Sequence, residues 1–94
     1  EDSLAVKGDF KNLTGYYTGA YIQMARRGEN GNVLYRLTAT DLNEQHTAGQ
    51  FQFSDNTFQI PEQIEQYYDQ NMLYINVATN TNEKGEIRGQ IMTP

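Results

Sequence analysis

The sequence predicts an all-β, antiparallel fold with one short helix. Three observations lead there. Apolar residues recur with a period of two through most of the chain, turn residues punctuate those runs, and only residues 61–70 carry apolar side chains at helical spacing. Abundant threonine and tyrosine point the same way, because β-branched and aromatic side chains suit a pleated, half-buried surface. Ninety-four residues suffice for one domain with one modest core. Asn, Gln and Thr supply 27 of them, so the seven tyrosines and four phenylalanines must carry much of the burial.

The elements follow in chain order. Ser3-Leu4-Ala5-Val6-Lys7 is short and strand-like and ends at Gly8-Asp9; residues 1–10 read either as an N-terminal edge strand of this same molecule or as a strand donated to another. Asn12-Leu13-Thr14-Gly15 reads as a turn. Tyr17 to Met24 then alternates, with Ala20, Ile22 and Met24 on one side and Tyr17, Gly19, Tyr21 and Gln23 on the other. The polar loop from Ala25 to Asn32 contains Asn30-Gly31, a strong turn signal. Val33 to Thr40 forms the next strand, setting Val33, Tyr35, Leu37 and Ala39 against Leu34, Arg36 and Thr38.

Asp41 to Ala48 is a polar connection holding the chain's one histidine, His46. Gln50-Phe51-Gln52-Phe53 alternates as a strand, closed by Ser54-Asp55-Asn56, and Phe58 and Ile60 continue a buried line. Pro61 to Gln70 reads as a helix. Proline suits its first position, Glu62 favours the positive end of its dipole, and Ile60, Ile64, Tyr67 and Tyr68 make one apolar stripe that plugs the end of the core. Asn71 ends it. Leu73 to Ala78 and Glu86 to Met92 form a closing hairpin of two half-buried strands around a polar turn from Thr79 to Gly85. Gly85 suits a positive φ, and Gly89 leaves room for a close approach by backbone or ring. Glu86 and Arg88, two apart on one strand, share a face and are placed to form a structural ion pair, the alternative being that Arg88 is a binding arginine in a cleft.

Composition excludes several roles. A net charge of −5 without a basic stripe argues against nucleic acid, Arg26-Arg27 being the one adjacent basic pair. Nothing approaches 18 successive apolar residues, so no membrane-spanning helix is expected. Without cysteine there is no disulfide framework and no thiolate chemistry. One histidine and no cysteine make a transition-metal site untenable, and no cofactor is expected. Carboxylate pairs such as Asp41 with Glu44 and Glu62 with Glu65 read as solvated surface, His46 sits in a polar loop, and no nucleophile elbow or phosphate loop occurs. The reading is therefore not an enzyme. The chain starts at Glu1 with no methionine, which fits a processed, extracellular chain, and Asn12-Leu13-Thr14 is a formal glycosylation sequon at Asn12.

Leu73-Tyr74-Ile75-Asn76-Val77, followed by Gly85-Glu86-Ile87-Arg88-Gly89-Gln90-Ile91, resembles the closing signature of the CHRD (chordin-type) domain family. Tyr74, Asn76, Gly85, Glu86, Ile87, Arg88 and Gly89 carry that signature as structural residues. Gly19-Ala20-Tyr21-Ile22-Gln23 and the glycine-rich loop after it resemble the family's Ala-His-Ile-His segment. The family's limited similarity to copper-zinc superoxide dismutases implies an immunoglobulin-like, Greek-key sandwich. Its histidines would be the ligand candidates, but Tyr21, Gln23 and Ala78 stand in their places here.

The resemblance covers the C-terminal two-thirds of such a domain, and only some 18 residues precede Ala20, fewer than the family's pattern places there. Two non-catalytic roles follow. In the first, the sandwich lacks a piece, and residues 1–10, through Leu4, Ala5 and Val6, donate a strand to the next copy. The result is an extracellular filament or surface polymer. In the second, the chain is a secreted module that binds a protein partner through Tyr21, Gln23, Arg36 and the Arg26-Arg27 loop, tyrosine and arginine being favoured at recognition surfaces.

Overall fold

The computed structural model describes residues 2–25 and 31–91. Along them run the strands β1 (Asp2–Ala5), β2 (Gly8–Phe10), β3 (Tyr17–Met24), β4 (Asn32–Leu37), β5 (Ala39–Thr40), β6 (Gly49–Phe51), β7 (Thr57–Ile60), β8 (Leu73–Thr79) and β9 (Ile87–Gln90), with one α-helix, α1 (Glu62–Asp69). All pairings are antiparallel. One layer is the four-stranded sheet β4-β3-β8-β9; the other comprises the small sheets β2-β6-β5 and β1-β7. The core joins Ala20, Ile22, Leu37, Leu73 and Val77 of the large sheet to Val6, Phe10, Leu13 and Phe51 opposite, with Ile64, Tyr67 and Tyr68 of α1 packed against it. This is the all-β sandwich with one helix that the sequence predicts.

The N-terminal arm corrects the strand-donation expectation. β1 lies antiparallel on β7 of its own chain, Leu4 facing Phe58 and Ala5 facing Thr57, and the Val6 amide donates to the Asn56 carbonyl at 2.9 Å. Val6 is buried in the core and Leu4 packs on it. The place thought to await a neighbour's strand is filled by the chain itself. β2 continues the pairing onto β6. From Ala5 to Gly8 the arm advances three residues while its partner goes back from Thr57 to Phe51, six; the surplus is taken up by the 3₁₀ turn Phe53–Asp55. That turn is why Phe53, expected to extend a buried strand, is instead exposed.

One buried side chain closes the corner where the chain changes layers. β4 leaves the large sheet at Leu37, and after Thr38 the backbone pairs with β6 as β5. Thr38 therefore has no strand beside it. Asn56, fully buried, takes that role: its Oδ1 accepts the Thr38 amide at 2.7 Å, and its Nδ2 donates to the carbonyls of Thr38 at 3.0 Å and Gln52 at 2.9 Å. The strand expected to run unbroken from Val33 to Thr40 is thus two strands in two layers.

Two bulges change which side chains face inward. Between β3 and β8 the register slips at Thr18, so Tyr17 faces Thr79 while Gly19 faces Ala78. Tyr17 consequently turns into the core and stacks on Phe10 at 5.2 Å between ring centroids, instead of sharing a side with Tyr21 and Gln23. Between β3 and β4 the extra residue is Leu34, which packs on the core; Val33, now opposite Gln23, is left exposed. The helix needs little correction. Pro61 caps it rather than opening it, its carbonyl accepting the Ile64 and Glu65 amides. Asn71, at φ 58°, ends it in a Schellman arrangement, the Asn71 amide donating to Tyr68 and the Met72 amide to Tyr67.

Candidate binding face

Residues opposite one another on neighbouring strands project to the same side of a sheet. Arg36 faces Tyr21, Tyr21 faces Asn76, and Asn76 faces Arg88, so these four form one row across the large sheet, on the side away from the core. Val33, Gln23 and Tyr74 form the next row. Tyr74, Asn76 and Ala78 are buried even so. β8 was expected to be half-buried; it is covered on both faces, because polar groups and neighbouring loops roof the outer one.

The roof is a hydrogen-bonded network. Asn76 Nδ2 donates to Gln23 Oε1 at 2.8 Å and to the Lys84 carbonyl at 2.7 Å, and Gln23 Nε2 donates to the Gly31 carbonyl at 2.8 Å. The Gly31 amide in turn donates to the Tyr74 hydroxyl at 2.9 Å. Buried amides of this kind are costly unless paired, and once paired they fix a single arrangement. Over the network lie two cations: the Arg88 guanidinium is 3.7 Å from the centroid of the Tyr74 ring, and that of Arg36 is 5.9 Å from Tyr21. Between them opens a cavity of about 300 Å³ lined by Tyr21, Gln23, Val33, Asn76, Glu83 and Lys84. Guanidinium, ammonium, phenol and amide groups there can donate hydrogen bonds and stack, which is the chemistry of recognition.

Glu86 does not pair with Arg88 as expected. Its carboxylate accepts the amide and hydroxyl of Thr14, the Gly15 amide and the Thr79 hydroxyl. The Thr14 amide, above all, holds the Glu86 carboxyl down at about 2, against the desolvation that opposes ionisation. Glu86 is therefore an anchor between the loop after β2 and the closing hairpin, and its negative charge is turned away from the arginine row. Gly85 has the positive φ expected, 123°, and sits against the Asn76 side chain. Gly89 departs from expectation: none of the described residues lies within 4 Å of where a Cβ would stand, so no close neighbour among them requires its lack of a side chain.

Of the residues the sequence marked for binding, Tyr21, Gln23 and Arg36 come together on this face, while Arg26 and Arg27 lie outside the described residues. Arg88, which the sequence offered as a binding arginine only as the alternative to an ion pair, joins them, and Lys84 does so unannounced. The signal for Arg88 was its alternation with Ile87 and Gly89, which already placed it opposite the core-facing set. Lys84, in a turn, gave none. Asn12 is exposed at φ 60°, and His46 is exposed with its carbonyl accepting the Tyr17 amide.

The family model for the CHRD domain matches residues 1–91. The chain belongs to the CHRD domain family. The match takes in the N-terminal arm as well as the closing signature. Neither the comparison with curated proteins nor that with solved structures returned a match. In this CHRD domain the three positions that the family resemblance marks as histidines, Tyr21, Gln23 and Ala78, all project from the outer face, in neighbouring register across β3 and β8. Two of them now build the aromatic and amide part of that face. Among the described residues no three of His, Cys, Asp and Glu are grouped to hold a metal ion.

Proposed function

We propose that this CHRD domain is an extracellular, non-catalytic module that binds a protein partner through the outer face of its four-stranded sheet. The observation that carries the reading is the row Arg36–Tyr21–Asn76–Arg88, with both arginines held over tyrosine rings above a satisfied network. Arginine and tyrosine so fixed lose little side-chain freedom on binding, a property of recognition hot spots. Family membership supports the setting, since CHRD domains occur in secreted or extracellular proteins. Polymerisation by strand donation has no support from the arm, which is seated on β7 of the same chain.

The test is a screen of the whole chain against secreted and cell-surface ectodomains, followed by the double variant Tyr21→Ala/Arg36→Ala. Binding of the partner found is expected to weaken by about 100-fold, roughly 1.4 kcal/mol for each residue, with the unfolding temperature nearly unchanged. A partner indifferent to the double variant, or long fibres and no partner, contradicts the proposal.

A further inference from the structure

Asn12-Leu13-Thr14 has the spacing of an N-glycosylation acceptor, in which one enzyme reads the carboxamide together with the hydroxyl two residues on. The binding face leaves this triplet unused. It lies in the loop between β2 and β3, and its three residues are held in different ways. Asn12 is exposed, with a left-handed φ of 60° that asparagine tolerates, so a bulky group on its side chain has solvent to project into and disturbs no packed neighbour. Leu13 is buried in the core, and its amide donates to the Thr47 carbonyl at 3.1 Å. Thr14 is taken up by Glu86, whose carboxylate accepts both its amide and its hydroxyl, the latter at 2.8 Å.

Once folded, the triplet is therefore a poor acceptor. A transferase has to draw Leu13 from the core and Thr14 from Glu86 before it can hold Asn12 and the Thr14 hydroxyl together, and reaction at a closed segment is slowed by the equilibrium constant of its opening. The order of the chain removes the difficulty. Thr47 comes well after Leu13, and Glu86 lies 72 residues beyond Thr14. At about 5–20 residues per second of synthesis those residues take roughly 4–14 s to appear, and until they do the native closure of the triplet cannot form. The long-range β pairing that follows adds further folding time.

We propose that Asn12 carries a glycan, transferred from a lipid-linked oligosaccharyl diphosphate to the emerging chain before Glu86 closes over Thr14. Asn12 Nδ2 bonds to the anomeric carbon of the sugar as that carbon's bond to the diphosphate oxygen breaks. The lipid diphosphate leaves with the electron pair, a base of the transferase takes the Nδ2 proton, and nothing is oxidised or reduced. The inference rests on the extracellular setting proposed above and not on the binding face. The competing account makes Asn12 a plain turn residue, chosen for its left-handed φ, with a threonine two positions on by chance.

The full chain is secreted from cultured human cells behind a cleavable signal peptide and its intact mass measured. One glycan per chain is expected, removed by peptide-N-glycosidase with conversion of Asn12 to aspartate. Thr14→Ser should keep the glycan, whereas Asn12→Gly, which retains the left-handed φ, should be secreted without it and melt close to the deglycosylated parent. Timing is read on unmodified chain from a non-glycosylating host, given purified transferase and lipid-linked oligosaccharide. At a temperature where Asn56→Ala is unfolded and the parent is folded, the variant should be modified at least about tenfold faster. A secreted chain without the glycan, or a folded parent modified as fast as the unfolded variant, overturns the proposal. An unmodified chain whose partner still depends on Tyr21 and Arg36 removes the glycan and spares the binding face; a glycosylated chain whose partner ignores both residues does the reverse.

Discussion

Replacing Asn56 with alanine is expected to lower the unfolding free energy by about 3 kcal/mol, because it strips partners from one backbone amide and two carbonyls at once. The loss is large because the side chain is fully buried and makes all three bonds at once, at partly buried backbone groups. In a domain of this size each kcal/mol moves the unfolding midpoint by about 4–8 °C, so a fall of about 12–24 °C should appear in a thermal melt. The consequence is topological as well as energetic. Thr38 is where the chain passes from the large sheet to the small one, and Asn56 stands in for the missing strand. A variant melting within a few degrees of the parent would mean that the corner is held by something else.

Gly85→Ala is the second large effect. A Cβ at that position would stand 1.8 Å from Asn76 Oδ1, and the backbone φ of 123° is one that only glycine adopts without strain. Relief requires Asn76 to give up its bonds to Gln23 and the Lys84 carbonyl, which hold the outer face together. A loss of about 2–4 kcal/mol is expected in denaturant unfolding, together with weaker partner binding, since Tyr21 and Arg88 flank Asn76 in the row. Gly89→Ala, four residues on, supplies the contrast: with open space around it, its effect should stay within about 0.5 kcal/mol. If the two variants cost the same, the network is not what makes Gly85 necessary.

What the sequence made legible was local. The helix over residues 61–70 could be read because proline, the apolar stripe and Asn71 all act within a few residues of one another, and the closing hairpin because its two runs alternate around a polar turn. The bulges at Thr18 and Leu34 were hidden: a bulge adds one residue without requiring a particular type, yet it reverses every side chain beyond it. That is how Tyr17 and Val33 exchanged sides. The polar face of β8 was misjudged for a related reason. Asn76 and Tyr74 alternate like exposed residues, and only partners 53 and 43 positions away, Gln23 and Gly31, bury them. Asn56 follows Ser54-Asp55 as a turn residue would, and nothing near it in the chain reveals Thr38, 18 positions distant. The arm misled most. Counting strands before Ala20 suggested a deficit, but strands that pair with residues 49–60 complete the layer from further along the chain.

That closure decides between a self-contained binding module and a strand-donating polymer, and a pair of introduced cysteines reads it directly. Ser3 faces Gln59 across β1 and β7, and antiparallel partners of this kind lie about 4.5–5.5 Å apart at Cα, within disulfide reach. Both side chains are exposed, and the chain has no cysteine of its own to interfere. On mild oxidation Ser3→Cys/Gln59→Cys should form its bond within one chain and run as a monomer on non-reducing gels at every protein concentration. A ladder of covalent dimers and higher species, formed with wild-type-like folding, would show that the arm belongs to a neighbour and would contradict the account.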